Sequence, residues 1–382
     1  MKLSLFYATN RRHSGADRWA PDKYGTDFSG DGMENLRFGR VSLEADAGVI
    51  ERHLKRRKRG QEDAGDGEKL ADYLSRCCTE SATIKAYRER INRNFADAHQ
   101  PNARYGSVAM FQDLHDAMLK QFDVLVYIHG FNVAWQEAVG AALALQLMLN
   151  RHHERGGKEV LVVLFTWPSD GKALPYVSYK SDRSEAKASG YAFGRGLLKL
   201  RDFLAELKTD CAKSGNPLCN QEMHLLCHSM GNYVLQSTLA RMREFANGRN
   251  LPRLFSHVFL CAPDVDDDVL EAGKPMADLA EITRSVTVYH NKGDMAMYVS
   301  DYTKGHPDRL GHEGAARPAQ LHRKAHQVDC SPLVQGVVEH SYYLWGPVNS
   351  DIRCSIDAIS HDDTNQRRRR RHANYNNVWE LL

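Results

Sequence analysis

Ser229 has the neighbours that a nucleophilic serine needs. It lies in Leu225-Leu226-Cys227-His228-Ser229-Met230-Gly231-Asn232-Tyr233, between an apolar run with strand character and a stretch with helical spacing. A serine on so sharp a strand-to-helix turn exposes its hydroxyl, provided that the residues two before and two after it are small. Gly231 meets that need, and Cys227, although not glycine, is small. The competing reading is a serine that caps the next helix. Upstream, His129-Gly130-Phe131-Asn132 ends another apolar run. Acyl transfer needs two backbone N–H groups aimed at a developing oxyanion. Met230, directly after the serine, and Phe131, where Gly130 lets the chain turn, are the candidates. A glycine loop that merely ends a strand is the rival there.

Such a serine also needs a base, and the base an acid that fixes its tautomer. Thr287-Val288-Tyr289-His290-Asn291-Lys292-Gly293-Asp294 reads as a strand followed by a loop carboxylate. Asp264, in Ala262-Pro263-Asp264-Val265-Asp266-Asp267-Asp268, is the alternative acid. It could equally shape a pocket, cap a helix or hold a cation, and Asp294 is preferred. Among the histidines after Asp294, His340 stands late in the chain amid apolar residues, in Val337-Val338-Glu339-His340-Ser341-Tyr342-Tyr343. The expected chemistry is attack of Ser229 on an ester-type carbonyl with His340 as base and Asp294 behind it. His129, Gly130, Asn132, His228 and Asp264 are candidates for lining that site.

The elements that must position these residues alternate. Apolar runs at 123–128, 159–165, 222–227, 257–261 and 285–290 each read as strands. Helical stretches at 134–150, 184–208 and 231–245 separate the first four of them. Short apolar strands alternating with helices predict an α/β fold with a mostly parallel central sheet and helices on both faces. Ligands then bind beyond the carboxyl ends of the strands, where the serine, the His-Gly loop and both candidate acids fall. Met1–Arg11 opens with one more strand, too short and too soon charged for a secretory leader. Glycine- and aspartate-rich loop sequence follows to about residue 45, then a charged insertion at about 46–100, helical from Glu68 to Arg93.

Composition sets the limits. The 382 residues are 42% hydrophobic and 26% charged, with a formal net charge of +3. That supports a sizeable core and implies no partner through net charge alone. The eight cysteines, two of them adjacent (Cys77 and Cys78), match no metal-ligand spacing and read as reduced thiols of a cytoplasmic protein. No run approaches the roughly 20 apolar residues of a membrane helix.

Taken with Phe6-Tyr7-Ala8-Thr9-Asn10-Arg11, Tyr127-Ile128 before the His-Gly loop, Phe165-Thr166-Trp167-Pro168-Ser169, Ala262-Pro263-Asp264 and His340-Ser341-Tyr342-Tyr343, the chain resembles the α/β-hydrolase superfamily. Within it, the chain is similar to a largely bacterial family of esterase- or lipase-like serine hydrolases of unassigned substrate. The resemblance runs from residue 3 to about 352. It implies a Ser229-Asp294-His340 triad, an oxyanion pair at Phe131 and Met230, a small-molecule or lipid acyl substrate, and no metal or organic cofactor. The expected organisation is one domain over 1–355 and a basic tail over 356–382.

Two insertions in such a fold would line the substrate entrance. They are 169–189 and 298–328, the latter with Tyr298, Arg309 and Arg323 as contacts for an anionic group or, more simply, as exposed side chains. Arg367–Arg371 is an unbroken arginine run that reads either as a solvated linker or as a contact for anionic lipid or nucleic acid. Hence the alternative function is a catalytically inactive module of the same fold that binds anionic partners through its basic segments.

Overall fold

The computed structural model describes residues 1–57, 64–89, 106–120, 122–151, 158–169, 175–214, 220–297, 308–334 and 339–382. Its centre is an 11-stranded sheet in the order β12-β13-β11-β10-β9-β8-β6-β7-β1-β4-β5. In chain order the strands are β1 (Lys2–Thr9), β2 (Arg11–Ser14), β3 (Lys23–Phe28), β4 (Arg37–Glu44), β5 (Thr83–Ala86), β6 (Phe122–Ile128), β7 (Glu159–Thr166), β8 (Met223–His228), β9 (Phe255–Cys261), β10 (Thr283–His290), β11 (Ala325–Asp329), β12 (Arg369–Arg371) and β13 (Val378–Leu381). Every pairing from β13 across to β1 is parallel, while β12, β4 and β5 join antiparallel at the two edges. β2 and β3 form a separate hairpin.

The parallel strands are apolar on both sides because both faces are covered. One face packs against α1 (Ala47–Lys55), α2 (Gly67–Ser81), α4 (Trp135–Asn150) and the helix Gly346–Ile356. The other packs against α3 (Gly106–Met118), α5 (Pro175–Ser214) and α6 (Gly231–Ala246). β6 lies between β8 and β7, so the chain leaves the centre of the sheet first toward one edge and later toward the other. Crevices form where the strand order reverses in this way, beyond the carboxyl ends of the strands. The loops after β6 and β8, carrying His129 and Ser229, both open there.

The two ends of the chain differ from the sequence expectation. α2 stops at Ser81, and the expected continuation of its helix is instead β5, an edge strand on β4. β-branched Thr83 and Ile84 suit that edge, and Arg90–Arg93 lie outside the described residues. The stretch before residue 45, expected as mostly loop, holds three more strands.

The basic tail over 356–382 is not separate from the domain. β13 extends the parallel sheet on β11, and β12 folds back on β13. The arginine run is half drawn into the fold: Arg367 and Arg369 are buried, while Arg368, Arg370 and Arg371 stay exposed. Arg367 and Arg369 are buried against the buried Asp351, and that carboxylate also accepts from Tyr289 Oη at 2.6 Å. Arg370 pairs with Glu380 and Arg371 with Asp362. Trp379 is buried in the same layer beside His326 and His361.

The histidines give this layer a pH dependence. Burial lowers His326 to about 4, helped by the charges of Arg369 and Arg367. Burial lowers His361 to about 2, with His326 and the same arginines adding to it. Unfolded histidine titrates near 6.5, so below that pH the unfolded chain binds protons that the folded one refuses. The stabilisation is complete above about pH 6.5 and is lost as pH falls toward the folded values. Urea midpoints should therefore fall steadily from pH 7.5 to pH 5, and a midpoint that is flat or rises on acidification would contradict the burial of these rings.

Candidate active site

Three non-glycine residues hold left-handed backbone at or just beyond the carboxyl ends of the central strands. They are Asn132 after β6 (φ 55°), Ser229 after β8 (φ 51°) and Ala262 after β9 (φ 45°). Such conformations are costly for residues with a Cβ and gather where a site needs them.

Ser229 is 5% exposed. Its N–H donates to Cys261 O at 3.0 Å, and its carbonyl accepts from Asp264 N at 3.2 Å and from Asn232 Nδ2 at 3.0 Å. Asn232 Nδ2 also reaches Cys227 O at 3.1 Å, tying the two sides of the turn together. Gly231 is obligatory, since a Cβ there would stand 2.7 Å from the carbonyl oxygens of both Ile128 and His129. Met230 caps α6, so its N–H belongs to the unsatisfied donors of a helix start.

The His129–Asn132 loop lies against this turn. A Cβ on Gly130 would be 2.7 Å from Ser229 Cβ. His129 does not line the site; it is wholly buried and anchors the loop. Its Nδ1 donates to Gly130 O at 2.9 Å, and its Nε2 accepts from Thr166 Oγ1 at 2.9 Å and Trp167 N at 3.2 Å. Burial, with the nearby Arg11 charge, holds it neutral, well below the usual histidine range.

Three residues that sequence reasoning assigned no role clamp the same loop. Arg11, fully buried, donates from Nη2 to Val133 O at 2.7 Å and from Nε to Thr166 Oγ1 at 2.9 Å. Burial lowers its guanidinium to about 9, still charged at neutral pH. Buried Asp182 accepts from Asn132 N at 3.4 Å and from Ser169 Oγ at 2.8 Å, and Ser169 Oγ in turn accepts from Val133 N at 3.3 Å. Arg11 and Ser169 stand in motifs that carried the resemblance. Nothing in their local sequence signals contact with a loop more than a hundred residues from Arg11.

His340 follows residues 335–338, which lie outside the described set. Its Nδ1 is 2.7 Å from Oδ2 of Asp294. Asp294 is 1% exposed and also accepts from the backbone N–H groups of Ala296 at 3.0 Å and Met297 at 3.3 Å. The rival acid, Asp264, is buried beside Arg309, whose Nε is 3.7 Å from its Oδ1 while Nη1 pairs with Asp266. Arg309 is thus buried in an ion pair, neither exposed nor open to a ligand, and Tyr298 falls outside the described residues. His228 joins serine turn and histidine loop: its Nε2 donates to His340 O at 3.2 Å, and the two rings lie 4.7 Å apart. Burial keeps His228 neutral, well below the usual histidine range. Among the described residues no hydrogen bond joins Ser229 Oγ to His340; such contacts commonly tighten only when substrate binds.

A recess of about 900 Å³ opens beside His228, Asn132, Ser341 and Tyr343, with Arg57 and Arg76 on its wall. A more apolar cavity of about 570 Å³ lies between α3, α5 and the opposite ends of β6 and β8, away from these groups. The lining of the first includes the chain neighbours of Ser229 and His340, namely His228 and Ser341, and that of the second includes neither. The entrance segment proposed at 169–189 is helix from Pro175 onward, with 170–174 outside the described residues. Arg183 from this helix lies over the Tyr233 ring at 4.4 Å.

The solved structures to which the chain is similar include a lipase, a cutinase and a carboxylesterase. These are lipase B of Aspergillus fumigatus (11% identity, 63% of this chain and 52% of that one, TM-score 0.32) and a Trichoderma reesei cutinase in complex with a C11Y4 phosphonate inhibitor (14%, 66% and 88%, 0.26). The third is EstE1, a thermostable carboxylesterase from a metagenomic library (13%, 62% and 78%, 0.29). The chain spans about half the length of the lipase. At these scores the likenesses carry no argument about activity. No curated protein matches the chain. A family model does, over residues 109–349, more than half of the chain, including Ser229, Asp294 and His340. With the mostly parallel sheet and helices on both faces, this places the chain in the family of α/β hydrolases of unknown function designated DUF900.

Proposed function

We propose that the protein is a serine hydrolase acting on an ester-type bond of a small-molecule or lipid acyl substrate. The observation that carries this reading is the left-handed Ser229 turn beside a histidine whose Nδ1 is bonded to a buried carboxylate. With Nδ1–H committed to Asp294, His340 keeps Nε2 as a lone pair, the form a general base requires. His340 takes the Ser229 proton as the hydroxyl attacks the carbonyl, and Asp294 stabilises the imidazolium that forms. The N–H groups of Met230 and Phe131 receive the oxyanion. The leaving alcohol takes the proton from His340, and water then attacks the acyl-enzyme with His340 again as base. The Arg11–Asp182–Ser169 clamp holds the Phe131 loop in place before substrate arrives, which is where such donors gain most of their effect.

The alternative, a binding module working through its arginine run, is not favoured by any observation: the guanidinium groups of Arg367, Arg369, Arg370 and Arg371 are engaged by Asp351, Glu380 and Asp362.

Two variants test the assignment on a panel of short- and medium-chain nitrophenyl esters. Asp294→Asn should lower kcat by about 10³–10⁴, the size expected when the base loses its orienting carboxylate, whereas Asp264→Asn should leave most of kcat if the variant stays folded. The reverse order would move the acid to Asp264. Asp182→Ala should lower kcat by about 10²-fold with little change in KM, because it loosens an oxyanion donor rather than a binding group. A loss confined to KM would assign that loop to substrate binding instead.

A further inference from the structure

The far end of the parallel strands carries a polar cluster for which hydrolysis has no use. His224 on β8 and His257 on β9 are register partners, side by side on one face of the sheet. Glu222 immediately precedes β8, and Asp123 is the second residue of the neighbouring strand β6. His224 is 0% exposed, and its Nε2 has no hydrogen bond. That nitrogen faces Asp123 Oδ2 at 3.9 Å. Asp123 is fixed in turn by Glu222 N, which donates to Oδ1 at 2.9 Å, and by Lys158 Nζ at 3.5 Å.

A carboxylate behind Nε2 favours the proton there and leaves Nδ1 of His224 as a lone pair. That lone pair is directed at His257 Nδ1, 3.4 Å away. Two imidazole nitrogens on one tetrahedral zinc, each at about 2.0–2.1 Å, stand about 3.3–3.4 Å apart. Glu222 supplies a third donor: one ligand atom from each of Glu222, His224 and His257 lies within 4.8 Å of the other two. Glu222 also accepts from Arg284 Nη1 at 2.7 Å through Oε1, and a carboxylate has a second oxygen to give.

We propose that Glu222, His224 and His257 bind a zinc ion, with Asp123 as the carboxylate that orients His224 and water in the fourth position. Two imidazoles with one carboxylate suit zinc and are a poor set for magnesium or calcium, which prefer all-oxygen shells. The ion would bridge the starts of β8 and β9, at the end of the sheet opposite Ser229. The proposal does not depend on the hydrolytic assignment.

The test uses the full chain after removal of metal by a chelator, titrated with zinc chloride by calorimetry and, in parallel, with cobalt(II). One zinc per chain is expected, along with visible cobalt bands of tetrahedral intensity. His257→Gln and Glu222→Gln should each weaken zinc binding at least tenfold, and Asp123→Asn by about 10–100-fold. His340→Ala and Cys354→Ser should bind zinc as the parent chain does, which separates this site from His340 and from adventitious thiol binding. Thermal unfolding of each variant checks that it is folded. Absence of stoichiometric zinc in the parent chain, or zinc binding unaffected by His257→Gln and Glu222→Gln, would overturn the proposal. Should those variants unfold, the parent chain decides, and cobalt without tetrahedral bands would equally overturn it.

Discussion

Replacing Ser229 with alanine should abolish ester hydrolysis, lowering kcat by about 10⁴–10⁶, while the protein stays folded with an unchanged urea midpoint. The magnitude follows from the cooperative nature of a serine, its base and its acid: removing the nucleophile costs about as much as removing the whole set. The stability expectation follows from local geometry. Alanine keeps the Cβ that Ser229 already holds at φ 51°, so it adds no strain, and the hydroxyl has no hydrogen bond to His340 to lose among the described residues. The backbone contacts to Cys261, Asp264 and Asn232 are untouched. Steady-state hydrolysis and denaturant unfolding of the same preparation check both halves. Activity within tenfold of the parent chain would remove Ser229 from the chemistry. A large loss of stability would mean that the lost activity reflects unfolding.

The second large effect is on the fold. Asp351→Ala should destabilise the protein by about 3–5 kcal/mol, the usual cost of breaking a buried ion pair from one side. Against a total stability of about 5–15 kcal/mol for ordinary proteins, that is a severe change. Asp351 is 1% exposed and is the acidic partner of Arg367 and Arg369, themselves 3% and 2% exposed. Without it, two guanidinium groups and the Tyr289 hydroxyl lose their carboxylate in an apolar layer. The edge formed by β12 and β13 should loosen first, reported by fluorescence of the buried Trp379. Glu380→Ala, which breaks the exposed pair with Arg370, is the contrast, with an expected cost of about 1 kcal/mol or less. Equal effects of the two variants would contradict the buried assignment of Asp351.

That contrast also marks what the sequence made legible. The apolar runs that became β6 through β10 stood out because a doubly covered parallel strand needs nearly continuous apolar residues. Ser229 and Asp294 fell after the ends of such runs, and His340 stood out only as a late histidine amid apolar residues. The arginine run is not the flexible linker its pattern of like charge suggested, because Arg367 and Arg369 are drawn inward by Asp351, brought in by tertiary folding. β5 was hidden for a similar reason: Thr83-Ile84-Lys85-Ala86 follows α2 without a turn signal, and only the open edge of β4 makes it a strand. The loop clamp and the Glu222–His224–His257 cluster were out of reach altogether. Arg11, Ser169 and Asp182 meet at the Phe131 loop from separate elements, and His224 meets His257 only through strand register.

A serine hydrolase of this kind requires an activated serine at position 229. Treating the folded protein with a fluorophosphonate and locating the adduct by peptide mass spectrometry tests it without knowledge of the substrate. The expected result is a single adduct on Ser229, formed in the parent chain, strongly slowed in His340→Ala and absent in Ser229→Ala. A folded parent chain that gains no adduct at Ser229, or that is labelled at another residue while Ser229 stays unmodified, would contradict the serine-hydrolase reading.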